Sequence, residues 1–78
     1  LEINYSTSAA GSIHVELQYA NGKPIPGRSL SDCHEVFGDE IERIVSWKDG
    51  TSVKRLADTP VRLRFVIKDA DLFSFRFQ

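Results

Sequence analysis

The chain has 78 residues, 41% of them hydrophobic and 27% charged, with ten Lys or Arg against eleven Asp or Glu for a formal net charge of -1. A domain this small buries only about 60% of the surface its unfolded chain exposes, which leaves room for one core and excludes a deep cleft between two lobes. The near-neutral balance supplies no field to gather a polyanion, so nucleic acid is not an expected partner; nor is a membrane, because the longest apolar run, Phe65-Val66-Ile67, is far short of the ~20 residues that cross a bilayer.

Leu1, Ile3 and Tyr5 alternate with Glu2, Asn4 and Ser6, the period of a strand with one buried face. Ser6 to Gly11 is rich in small residues and reads as a loop. Ile13, Val15, Leu17 and Tyr19 then alternate with Ser12, His14, Glu16 and Gln18, the clearest strand signal in the chain. Asn21-Gly22 offers a turn, and the two prolines of Lys23-Pro24-Ile25-Pro26-Gly27 hold the chain extended. Arg28 to Val36 reads as an irregular loop in preference to a short capped helix.

Ile41 to Trp47 is β-branched and alternating enough for another strand. Lys48-Asp49-Gly50-Thr51 reads as a turn, and Val53 to Ala57 as a loop or one helical turn. Val61, Leu63, Phe65 and Ile67 alternate with Arg62, Arg64, Val66 and Lys68; Asp69-Ala70-Asp71 follows, then Phe73, Phe75 and Phe77. This pattern predicts a terminal hairpin with Phe65, Phe73, Phe75 and Phe77 in the core. Five or six strands without a long helix predict one all-β domain over 1–78, an antiparallel β-sandwich of jelly-roll type. With no methionine and a start inside an alternating segment, it reads as a module cut from a longer protein.

Cys33 is the only cysteine, so neither an internal disulfide nor a paired-cysteine zinc site can form. Cys33 reads as a small buried hydrophobe and His14 as a surface residue. Adjacent residues on an extended chain point in opposite directions, so Cys33-His34 is not a nucleophile and base. Asp32, Asp39, Glu40, Glu42, Asp69 and Asp71 could in principle supply a glycosidase carboxylate pair, but most stand where turns favour Asp for its local hydrogen bonds. No EF-hand spacing is present. No catalytic residue, metal or cofactor is expected.

Sugar-binding sites set an aromatic ring against the sugar and fix its hydroxyls with a few polar groups. Trp47 and Tyr19 are the candidate rings, although both share parity with apolar neighbours and a core position is the plainer reading. Asp32, Glu42 and Arg62 are the candidate polar contacts. His14, Glu16, Gln18, Arg62, Arg64 and Arg76 fall on the opposite parity and would form a mixed polar face if their strands are neighbours.

Gly11 to Gln18, Asn21 to Gly27, Gly38-Asp39-Glu40-Ile41, Val45 to Lys48, Pro60 to Phe65 and Lys68 to Phe75 together resemble a C-terminal β-sandwich accessory module of bacterial five-bladed-propeller glycoside hydrolase-like proteins, of the sort grouped with family 32. The resemblance covers nearly the whole chain. It departs from the usual pattern at Arg28, where an aromatic or apolar residue is common, and at Tyr19, where an acid is. It implies a non-catalytic module of a secreted or periplasmic protein, with the absent catalytic domain as partner and carbohydrate as candidate ligand. The alternative expectation is a structural domain without a sugar ligand that docks on that catalytic domain or forms a homodimer through its strand edges.

Overall fold

The computed structural model describes residues 1–48, 50–51, 53, 56 and 59–77, with the backbone alone at 39–42. The fold is all-β. Strands β1 (Glu2–Tyr19), β2 (Asp39–Ile44) and β3 (Val61–Arg76) form one antiparallel sheet in the order β2-β1-β3. The five or six expected strands become three because β1 and β3 each run through a segment that resembles a turn. Ser6 to Gly11 lies within β1, and Asp69-Ala70-Asp71 lies within β3 in place of a hairpin turn. Among the described residues there is no second sheet.

These long strands are strongly bent. A straight 18-residue strand would span roughly 60 Å, whereas the molecule's longest dimension is 34 Å. The bend sits where the β1–β3 register jumps, between Thr7 and Ser12. Asp69 takes φ 46° there, the left-handed conformation that Asp tolerates better than most residues. Gly11 faces it: a Cβ at this position would overlap the Asp69 carbonyl oxygen and come within 2.8 Å of that of Lys68. The absence of a side chain lets the two backbones cross. Folding the ribbon over brings Phe65 and Phe75, ten residues apart in one strand, to a ring-centroid distance of 5.3 Å.

The core lies inside this fold. Ile3, Tyr5, Ile13, Val15 and Leu17 supply it from β1, and Ile25, Cys33, Val36, Val45 and Trp47 from the connections, with Leu63, Phe65 and Leu72 packed against it. Arg28 to Val36 is irregular chain, as its sequence suggests, crossed by isolated bridges from Ile13 to Val36 and from Cys33 to Trp47. A tight reversal joins Trp47 and Gly50 through two backbone bonds of 2.9 Å, and Leu56 N–H donates to Val53 in a short turn. The rest of the turns expected at 48–51 and 53–57 lies outside the described residues. Phe73, Phe75 and Phe77 are not core residues: they are 64%, 49% and 47% exposed. Alternation identifies the inner face of β3, but the connections cover only part of that face.

Candidate docking surface

The two edges of β1 show how the sheet satisfies its backbone. Toward the connections, Leu17 N–H donates to Arg28, Ile25 N–H to Leu17, Tyr19 N–H to Lys23, and Ile13 and Val36 exchange two bonds. At Val15 the connection swings away and side chains complete the ladder. Val15 N–H donates to Cys33 Sγ at 3.3 Å, and Trp47 Nε1–H donates to the Val15 carbonyl at 2.9 Å. A buried backbone group must find a partner, and here a thiol and an indole supply it.

This use of the odd-numbered residues fixes the geometry of β3. Opposite residues in an antiparallel pair alternate between exchanging hydrogen bonds and pointing their backbone groups away from each other. Ile13, Val15, Leu17 and Tyr19 spend theirs on the connections, and they stand opposite Ile67, Phe65, Leu63 and Val61. The N–H and C=O groups of those four β3 residues therefore point away from β1. Among the described residues β3 is the sheet's edge, with β1 as its strand partner. No described residue outside β1 forms a backbone bond with this edge.

The side chains add to the opening. Phe75 and Ile67 are exposed on the inner face, Phe73 is exposed at the register shift between Leu72 and Ser74, Phe77 is exposed just beyond the end of β3, and Val66 is 41% exposed on the outer face. Arg62, Arg64 and Lys68 share that outer face opposite Gln18, Glu16 and Ser12, and all three are exposed. The expected mixed polar face thus forms, because β1 and β3 are neighbours. Its acids are already engaged: Glu16 is buried and accepts from Leu30 N–H and Gln18 Nε2, while Glu2 holds Arg76 at 2.8 Å.

The residues proposed for sugar contact are dispersed. Trp47 is fully buried, its ring covered by the Arg28 guanidinium at 5.2 Å from the centroid, so it offers no face for a ligand. The core position suggested by its parity is the one it occupies. Tyr19, 40% exposed, lines a shallow recess of about 300 Å³ with Ile25, Pro26, Leu56 and Thr59. Arg62 is on the rung next to Tyr19 but on the other face, against Gly22. Asp32 accepts from Ser29 Oγ at 2.8 Å, and its carbonyl accepts from Lys48 N–H, so it braces its own turn. Glu42 lies in β2, which pairs with the first part of β1, far along the sheet from Tyr19; its side chain is outside the described residues. Among the described residues no cluster of His, Cys, Asp or Glu is placed to hold a metal ion.

Cys33 is buried and His34 exposed, the latter bonded through Nδ1 to Ser46 Oγ, so the two do not work together. Burial pushes the Cys33 thiol above its ordinary value, against a smaller opposing pull from the Val15 N–H. Removing the sulfur strands a buried donor. Cys33→Ala should cost about 1–3 kcal/mol in urea unfolding, and Cys33→Ser, which retains an acceptor, should cost less. A raised thiol contributes stability that is fully present below the unfolded-state value and is lost as pH rises through the folded-state value. The stability of wild type relative to Cys33→Ser should therefore fall above about pH 8.5. A pH-independent difference would contradict this assignment.

No family model, curated protein or solved structure matches this chain.

Proposed function

We propose that the protein is a non-catalytic docking module whose β3 edge and adjoining phenylalanines are covered by another polypeptide. The observation that carries this reading is the coincidence of an open backbone edge on β3 with Phe73 and Phe75 exposed on that strand and Phe77 exposed just beyond it. Outward N–H and C=O groups are best satisfied by another strand, and clustered exposed apolar side chains mark interaction surfaces. The resemblance to an accessory module fits a domain that packs on a larger neighbour. A two-layer, sandwich-like plan is supported by the folded ribbon and its Phe65–Phe75 contact; a jelly-roll would need strands added by that neighbour.

The test is binding of an environment-sensitive anilinonaphthalene dye to the folded protein. Wild type should bind it, and Phe73→Ser combined with Phe77→Ser should lose most of the signal while unfolding within about 1 kcal/mol of wild type, since the two residues are 64% and 47% exposed. A folded wild-type protein that leaves the dye dark would overturn the reading.

Carbohydrate binding is the second reading, supported by Tyr19 at its recess. Tyr19 and Thr59 are the polar residues in its lining, a sparse set for fixing a sugar. Chemical shifts confined to Tyr19, Ile25 and Thr59 during a titration with fructans or xylans would favour it over docking.

A further inference from the structure

We infer that the first half of β3, Val61 to Lys68, takes up an extended peptide strand with acidic side chains alternating with aliphatic ones. This rests on the docking reading and specifies the chemistry of the partner.

Three observations define the occupant. The backbone groups of Leu63, Phe65 and Ile67 point out of the open edge, so the ligand presents a backbone in extended form. Arg62, Arg64 and Lys68 stand on one face of that edge, exposed, and none of their side chains forms a hydrogen bond or ion pair with another described residue. The Glu16 carboxylate facing Arg64 across the sheet is occupied by Leu30 N–H and Gln18. Alternate side chains in a strand are about 6.7 Å apart, so carboxylates at every second position of an added strand can stand beside this row of cations. On the opposite face the added strand runs beside Leu63, Phe65 and Ile67, which calls for aliphatic residues at the intervening positions. The periodicity that built β3 is thereby copied onto its partner with the charge inverted.

The same pattern disfavours a second copy at this segment. Full antiparallel overlap of Arg62–Lys68 with itself sets Arg62 opposite Lys68 at both ends, and like charges directly opposed destabilise a strand pair. An acidic partner removes that repulsion and neutralises a row that the other described residues leave open.

The experiment uses the full chain and a blocked heptapeptide alternating valine and glutamate. Controls are a valine and lysine heptapeptide and a permuted peptide of the acidic composition. Amide spectra and hydrogen exchange are recorded during titration to a few millimolar at low salt. The acidic peptide should bind with a Kd below about 1 mM and slow exchange at Leu63, Phe65 and Ile67, leaving the inward amides of Arg62, Arg64 and Val66 unchanged. Arg62→Gln with Arg64→Gln should weaken binding by about tenfold. Should that variant fold poorly, raising the salt to 0.5 M on wild type supplies the same comparison, with a weakening of several-fold.

The inference fails if the acidic peptide leaves those amides unchanged, if the lysine or permuted peptide binds equally well, or if salt and the double variant have no effect. It also fails if the three amides are already protected in free protein in a concentration-dependent manner, which would put a second copy on the edge. Dye binding at Phe73 and Phe77 is read in parallel. A failed peptide with retained dye binding removes this partner and leaves the docking module; loss of both removes the docking reading as well.

Discussion

Trp47→Ala should cost about 5 kcal/mol, a large part of the chain's total stability. Large aromatic-to-alanine changes in cores cost about 3–5 kcal/mol, and a domain of this size has a total stability on the order of 4–12 kcal/mol. Trp47 belongs at the expensive end. It is fully buried, its N–H closes the β1 ladder at the Val15 carbonyl, and its ring lies under the buried Arg28 guanidinium. Truncation therefore opens a cavity, strands a backbone acceptor and strips a buried cation of its aromatic neighbour. Trp47→Phe separates these contributions. It keeps much of the apolar volume and loses the hydrogen bond, and should cost about 1–3 kcal/mol in urea unfolding. If Trp47→Ala proved as stable as Trp47→Phe, the indole would not be the centre of the core.

Gly11→Ala should be the second most damaging change, although it adds one methyl group. The added carbon would overlap the Asp69 carbonyl oxygen and crowd that of Lys68, and both are backbone atoms that cannot rotate away. Overpacking commonly costs about 1–3 kcal/mol, and the upper part of that range is expected because the displaced atoms form the fold-over itself. Ala10 is exposed next to it, and Ala10→Ser should change stability by no more than about 0.5 kcal/mol. A thermal or urea unfolding series on the two variants checks the contrast. Equal midpoints would mean that β1 and β3 do not cross closely at Gly11.

Much of this architecture is legible in local pattern. Ile13, Val15, Leu17 and Val61, Leu63, Phe65 announce their strands and their inner face by strict alternation, and the parity of Trp47 already argues for the core. What escapes is set by partners distant in sequence. Ser6 to Gly11 looks like a loop because its residues are small, yet small residues are also what a bent strand needs where another backbone passes over it. Asp69-Ala70-Asp71 has turn residues but no glycine, and a single left-handed residue at Asp69 bends the strand without reversing it. Periodicity assigns Phe73, Phe75 and Phe77 to a face; whether anything covers that face depends on how far the connections reach.

The candidate site follows the same division. Tyr19 and Arg62 come to adjacent rungs of the sheet, but pleating sends them to opposite faces, whereas Asp32 and Trp47 are committed to holding the connection together. The open edge itself has one sequence signal, the basic alternation of Arg62 and Arg64 with Leu63 and Phe65, continued at Lys68. Its meaning as an edge appears only once β1 is seen to spend its other side on the connections.

Native-state amide hydrogen exchange of the dilute, free protein reads out whether β3 is an open strand with a ready edge. The amides of Leu63, Phe65 and Ile67 should exchange rapidly, while those of Arg62, Arg64 and Val66, and of Ile13, Val15 and Leu17 across the ladder, should be strongly protected. Uniform protection along Val61–Lys68 at every concentration would mean that the edge is already covered by the chain itself and that β3 has no place for a partner strand.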